Sequence, residues 1–297
     1  PRTAGIIWNS PIYTTGSVKF TSTVTSKIFL ETGFSTNFER YNTMYQKGIA
    51  KDRTDPLWYS VINRSDTSLG TSWGAGASWQ GMYPDSLAYA ASVSYVTGSH
   101  NLKTGFTLMH SWRFATQEPQ NSVTLTLRNS QPFSLTQYAT PIEFRETMNY
   151  NAGLFVQDQW RMGRVTVNAG LRFDWVHESV PAINVAAGPF VPARSFSAVD
   201  NVPNWKDLNP RFGIAWDPFG DGKTSIKGGI NRYILSATTG IANYFDPVNS
   251  AINSTTRSWT DRNGNFIPDC NFTQTTANGE CGAMANANFG SLVPTIS

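Results

Sequence analysis

Charge is what this sequence of 297 residues lacks most: Asp, Glu, Lys and Arg make up only 14% of it, against the ~25% usual in soluble domains. It also lacks any apolar run of the ~18 to 20 residues that a membrane-crossing helix needs, which excludes a helical membrane protein. The 23 basic and 20 acidic residues leave a formal net charge of +3. They are spread along the chain, so no basic stripe of the kind nucleic-acid binding requires is present. The three histidines, His100, His110 and His177, fall on turn, strand and loop without an i,i+4 pair or a nearby Cys, which argues against zinc. No G-x-S-x-G elbow occurs, and the few carboxylates are not concentrated as an acid/base pair, so no catalysis is expected.

Two cysteines are present, Cys270 and Cys281, with ten residues between them and the closest His far away at His177. A local disulfide is therefore a better reading than a metal site, and it points to an oxidising compartment. The chain opens Pro1-Arg2-Thr3, without an initiator Met or a signal segment, so targeting information is expected outside it. What the sequence does have is aromatic content: 13%, with ten Trp, at a mean hydropathy of −0.30. It is poor in charge without being greasy.

The sharpest pattern runs from Arg164 to Trp175. There Val165, Val167, Ala169, Leu171, Phe173 and Trp175 alternate with Arg164, Thr166, Asn168, Gly170, Arg172 and Asp174. Such a period of two puts the apolar side chains on one face of a strand and the polar ones on the other. At about eleven residues the strand exceeds the 5 to 6 common in soluble sheets and matches the ~9 to 11 of a tilted strand crossing a bilayer. The preceding run repeats the pattern, with Tyr150, Ala152, Leu154, Val156, Trp160 and Met162 facing one way and Asn151, Gln157, Gln159 and Arg161 the other; Phe155 and Asp158 break it. Only Gly163 and its neighbours separate the two runs, which predicts a tight antiparallel hairpin.

Three further hairpins are predicted: Ser17 to Val24 with Ile28 to Phe38, Leu87 to Tyr95 with Leu102 to Trp112, and Arg211 to Trp216 with Ile226 to Ile234. Long stretches join them, roughly Glu39 to Ser86, Arg113 to Asn149 and Val176 to Pro210, beyond ordinary loop lengths. Short and long connections thus alternate. A soluble β-sandwich shows the same period-2 strands, with aromatics filling its core, so periodicity alone does not say whether the apolar face meets a core or lipid. Outer-membrane barrels have short turns at one end, long loops at the other, and aromatic girdles at both interfaces. Trp160 and Trp216 lie beside the short turns; Trp112, Trp175 and Tyr233 lie near the long connections.

Specific strings go further. NAGLFVQDQWRMGRVTVNAGLRFDWVHES, Asn151 to Ser179, is followed by NPRFGIAWDPFGDGKTSIKGGINRYI, Asn209 to Ile234. Together they resemble the barrel of TonB-dependent outer-membrane receptors, and most of all the Oar-like branch, whose members carry a carboxypeptidase-regulatory-like domain ahead of the plug. YVTGSHNLKTGFTLMHSW, Tyr95 to Trp112, and VTLTLRNSQPFSLTQYATP, Val123 to Pro141, support it, and the resemblance runs roughly from Ser17 to Gly290. It implies a 22-stranded barrel with a plug in its lumen, opened by TonB at the expense of the proton-motive force. About eight of those strands are legible here, and 22 strands of ~11 residues would alone need ~240 residues.

The expectation is therefore an all-β, antiparallel barrel segment of about eight spanning strands, with residues 1–297 part of one barrel domain and 236–297 a long extracellular loop. No TonB box, plug-like segment or terminal aromatic is found, the last residues being Thr295-Ile296-Ser297, so those parts are expected outside this piece. The implied partners are outer-membrane lipid, the TonB complex through the N-terminal region, and a siderophore, vitamin, glycan or larger cargo; no bound cofactor is implied. The alternative is a surface adhesion or structural β-protein without energy coupling, or a carbohydrate-binding sandwich using exposed Trp.

Two local motifs remain. Gly220-Asp221-Gly222-Lys223-Thr224 imitates the end of a phosphate-binding loop, but Asp217 stands where its first Gly belongs, and the run lies between strands; a hairpin turn is expected. In Asp261-Arg262-Asn263-Gly264-Asn265-Phe266-Ile267-Pro268-Asp269, oxygens at Asp261, Asn263, Asn265 and Asp269 suit Ca2+. Phe266 stands where calcium loops usually have Gly, and Phe272 replaces a bidentate Glu, so a polar Asx-turn loop stapled by Cys270 and Cys281 is the competing reading.

Overall fold

The computed structural model describes residues 6–46, 61–76, 79–118, 122–235 and 238–292. The first half of the chain forms β1 (Ile6–Thr23), β2 (Ile28–Tyr45), β3 (Arg64–Asp66), β4 (Thr71–Trp73), β5 (Trp79–Thr97), β6 (His100–Glu118), β7 (Val123–Arg128) and β8 (Gln131–Tyr138). There follow β9 (Ile142–Met162), β10 (Val165–Ser179), β11 (Ile183–Val185), β12 (Arg194–Phe196), β13 (Asn204–Trp216), β14 (Ile226–Asn231), a short helix α1 (Gly240–Tyr244) and β15 (Ser254–Ser258).

The long strands make one eight-stranded sheet in the order β1-β2-β5-β6-β9-β10-β13-β14, each antiparallel to the next. It is an open sheet among the described residues. All four predicted hairpins are present. Two are closed by two residues each, Met162 pairing with Val165 across Gly163-Arg164 and Thr97 with His100 across Gly98-Ser99, and Gly163 and Gly98 take the positive φ, 56° and 43°, that such turns require.

Register carries the alternation across the sheet. Leu171 lies opposite Val156 and Pro210, and Phe173 opposite Leu154 and Leu208; Asn168 lies opposite Gln159 and Gly213. Because alternate residues share a face, one face is predominantly apolar, with Val18, Phe20, Tyr89, Val93, Phe106, Leu154, Leu171, Phe212 and Ile230 all exposed on it. The two exceptions in β9 find reasons here. Phe155 sits on the polar face and covers Gly105, where a Cβ would collide with its ring. Asp158 lies on the apolar face beside Leu102, at the foot of the sheet, where its Oδ2 is 2.6 Å from His100 Nδ1.

The strands run further than the apolar alternation does. β2 reaches Tyr45, β6 reaches Glu118 and β9 begins at Ile142, so part of Glu39 to Ser86 and of Arg113 to Asn149 is strand rather than loop. The alternation fades there because the outer face turns polar while backbone pairing continues: Asp85, on the face of Leu87, binds Arg40 at 2.5 and 2.7 Å.

The long connections are not loose either. β4, β3, β7, β8 and β15, from three different connections, form a five-stranded sheet in the order β15-β8-β7-β3-β4, with β3 parallel to β7. A fourth connection adds Phe190 to its core, which also holds Ile62, Val123, Leu125, Leu135, Trp259 and Phe272. We call this body the cap. The stretch expected as a long loop, 236–297, thus contributes β15, Trp259, Phe272 and Cys281 to the cap, while Ala242 and Val248 pack elsewhere. Residues 293–297 and Pro1-Arg2-Thr3 lie outside the described residues. A second core, with Ile142, Phe144, Val180, Ile183, Phe196, Ala242 and Val248, ties α1 and β11–β12 to the upper part of β9.

Candidate functional site

Among the side-chain hydrogen-bond networks on the polar face of the eight-stranded sheet, two link strands that are not neighbours. Glu31 on β2 accepts from Lys19 of β1 at 2.9 Å and from Lys103 of β6 at 2.8 Å, two strands on. Arg172 on β10 donates from Nε to Asp174 Oδ1 at 2.7 Å and from Nη2 to Thr107 at 2.8 Å, while Asn209 of β13 donates to Asp174 Oδ2 at 2.8 Å. Arg172 lies flat over Gly153 of β9, a position where any Cβ would overlap the guanidinium. A concavity of about 720 Å³ opens beside the first network, lined by Glu31, Lys103, Gln157, Asn168, Arg211 and Asn231. None of these groupings is visible as a sequence motif, because their members lie on different strands. The available signal is that Lys19, Glu31, Lys103 and Arg172 all occupy polar positions of alternating runs.

The apolar face is bounded by aromatic and charged side chains. At the foot, Trp160 and Trp216 are exposed beside the short turns, and Trp160 stacks on His100. At the upper end Trp175 packs edge-on against Tyr150, with Lys206 4.8 Å from its ring. Trp112 lies on the same face, level with Asp85. Tyr233 departs from the expected girdle: it lies past the end of β14 with the guanidinium of Arg211, a polar-face residue, over its ring. Between the His100–Asp158 pair and Lys206 the apolar face of β10 and its neighbours carries no charge. Along β10 that band runs from Ala169, opposite Asp158, to Trp175, opposite Lys206, about six residues or ~20 Å of strand, ~16 Å upright once tilted by ~40°, within the ~25 Å of a barrel's lipid-facing belt.

At the foot, the Gly220–Thr224 run lies in the turn between β13 and β14. Asp217 is its organiser, accepting from the backbone N–H groups of Gly220, Gly222 and Phe219 at 2.7 to 3.2 Å. The Gly222 and Gly220 bonds hold its carboxyl below the usual range. A carboxylate thus occupies the N–H groups that a phosphate would need.

In the cap, Cys270 and Cys281 are joined by a disulfide with Cα atoms 5.8 Å apart. The structure brings Asp261, Asn263, Asn265 and Asp269 together, but as an Asx-turn array. Asp261 Oδ1 accepts from Gly264 and Asn265 N–H, its Oδ2 from Phe266 N–H, and Asn265 Oδ1 from Ile267 N–H. Asn263 and Asn265 both present their amide nitrogens to Asp269 Oδ2, at 2.7 and 3.3 Å. The loop is closed by its own donors rather than arranged as a shell of oxygens, and Phe266 adopts the left-handed φ of 56° that Gly would favour. Among the described residues no group of three or more His, Cys, Asp or Glu is placed to hold a metal.

Elsewhere in the cap, burial opposes ionisation of Asp66, yet N–H groups of Ser130, Leu69 and Ser68 hold its carboxyl below its ordinary value. Outside the cap, next to α1 and the upper part of β9, Asp246 behaves oppositely. Burial pushes its carboxyl up to about 6, against the pull of the Val248 and Arg145 N–H groups.

A family model described as an outer membrane beta barrel domain matches residues 7–295. No curated protein matches the chain.

Proposed function

The chain belongs to the outer membrane beta barrel domain family, and on that premise we propose that it forms part of the barrel of a TonB-dependent transporter for energy-coupled uptake of a scarce solute. The observation that carries the reading is the polar face, which holds the Lys19–Glu31–Lys103 and Arg172–Asp174–Asn209 networks and a concavity lined by Glu31 and Lys103, on strands whose other face carries an uncharged belt. A lumen that must seat a plug and pass a polar solute calls for such groups. The resemblance of the QDQW, PRFG and GDGKT strings to TonB-dependent receptors supports the same choice. In this reading the apolar face meets outer-membrane lipid, the cap lies outside the cell, the Trp160 and Trp216 end is periplasmic, and TonB acts through the receptor's N-terminal region. The chain carries no catalytic step and needs no cofactor.

A carbohydrate-binding sandwich would require a second sheet against the apolar face, and among the described residues none packs there. The test is depletion of iron chelates, corrinoids and glycans from defined medium by cells with and without the gene, each with and without a protonophore. Energised transport predicts that one class of solute stops being depleted both on deletion and on protonophore treatment. Depletion that needs the gene but resists the protonophore would establish a passive barrel instead.

A further inference from the structure

The core of the cap contains a guanidinium that has no hydrogen-bond partner among the described residues. Arg257 is 2% exposed, and its Nε, Nη1 and Nη2 are all buried without an acceptor. Two residues on, Trp259 is equally buried and its indole N–H has no acceptor. On the adjacent β8, Gln137 is fully buried; its Nε2 donates to the Phe272 carbonyl at 2.8 Å, but its Oε1 receives no donor.

These groups share one face. Thr255 lies opposite Gln137 and Arg257 opposite Leu135, so alternation places Thr255, Arg257 and Trp259 over the same side of the sheet as Leu135 and Gln137. Val123 and Leu125 continue that side on β7, and Phe190 and Phe272 close over it. The buried carboxylates of the cap are engaged elsewhere. Asp66 accepts from three backbone N–H groups, and Glu280 from those of Arg262 and Asp269. A buried, unpaired charge is costly enough that proteins keep one only where something pairs it.

The donor set identifies the partner. A guanidinium offers a planar fork matched to a carboxylate, which accepts two parallel N–H bonds from it. The indole N–H supplies a third donor, and Gln137 Oε1 asks for a hydroxyl or amino group on the same ligand. We propose that Arg257, Trp259 and Gln137 form a binding site in the cap for a small carboxylate bearing an adjacent hydroxyl or amino group. The site is independent of the transport reading, since its donors lie in the cap and not on the polar face of the long sheet.

The experiment uses the protein purified from outer membranes in detergent, titrated with glycolate and with glycine, with acetate and chloride as controls. Thermal protection of the cap and tryptophan fluorescence are the readouts. Glycolate or glycine is expected to saturate both and to raise the cap's transition by several degrees, with acetate weaker and chloride inert. Arg257→Met should abolish the response and raise the ligand-free transition above that of the unliganded native protein, because it removes a buried charge without leaving a hole. Should that variant fail to fold, Trp259→Phe keeps the ring and removes one donor, and is expected to weaken binding by about two- to tenfold. No saturable response of the native protein up to tens of millimolar, an unchanged response in Arg257→Met, or unchanged affinity in Trp259→Phe would each overturn the proposal.

Discussion

The long sheet and the cap are built from the same alternating pattern and treat their apolar residues in opposite ways. On the sheet Leu154 is 61% and Ile230 76% exposed, while Glu146 and Glu178 at its upper end are fully buried. In the cap Leu125 and Leu135 are fully buried, and the polar positions between them point outward. A period of two therefore reports which side chains share a face and is silent on what that face meets. The contrast follows from context: strands of 13 to 21 residues, with the six-residue β14 at their edge, are joined by short turns at one end and stand in a solvent that is itself apolar, whereas strands of 3 to 8 residues can bury their apolar faces only against one another.

Core deletion should separate the two regions most. Leu135→Ala removes packing that nothing can refill and is expected to cost the cap about 2 to 5 kcal/mol. Leu154→Ala faces lipid, which closes over the shortened side chain, so only the transfer loss of about 1 to 2 kcal/mol should remain. Denaturant titration in lipid vesicles, with proteolysis reporting on the cap, distinguishes them; equal costs would remove the contrast.

Charge insertion is next. Leu171→Arg on the apolar face should cost roughly 2 to 4 kcal/mol and Asn168→Arg on the polar face little. Equal effects in the same titration would contradict the two-faced register of β10.

Smaller, and confined to the cap, is the disulfide. Replacing Cys270 and Cys281 by Ala should cost about 2 to 3 kcal/mol of local order, read as faster proteolysis around 261–281 with the long sheet unchanged.

The mildest effect is one of pH. The Asp246 carboxyl is raised to about 6 in the folded protein from an ordinary 3.8, so the folded state holds its proton more tightly. Its contribution is complete below pH ~4 and is lost as pH rises through about 6. Asp246→Asn, which keeps an acceptor for the Val248 N–H, should flatten that part of the pH profile of proteolytic resistance near 239–250 and leave the long sheet's profile unaltered.

Much of the long sheet is legible in the sequence. Val165 to Trp175 against Tyr150 to Met162, closed by Gly163, specifies a hairpin and its register within one local window. The upper extensions are not, because above the belt the outer face takes residues such as Arg40 and Asp85, and the contrast between faces disappears. The polar-face networks were half visible. That Lys19, Glu31 and Lys103 face away from the apolar residues follows from parity, but that they meet depends on the β1-β2-β5-β6 order. The acidic loop at Asp261 to Asp269 shows a limit of another kind, since the same oxygens suit a cation or their own backbone, and only the observed hydrogen bonds separate the two arrangements.

By itself, then, the sequence determined an all-β chain of two-faced antiparallel hairpins with an uncharged belt, since alternation, turn residues and charge placement are local properties. Tertiary structure alone decided that segments from separate long connections assemble into one cap sheet, with β3 parallel to β7 and β15 laid against β8. It also decided that Arg257 is sealed among Leu135, Gln137 and Trp259. The reason is physical. Pairing between strands some 60 to 120 residues apart is selected by the apolar surface they bury jointly, and that quantity belongs to no single stretch of sequence.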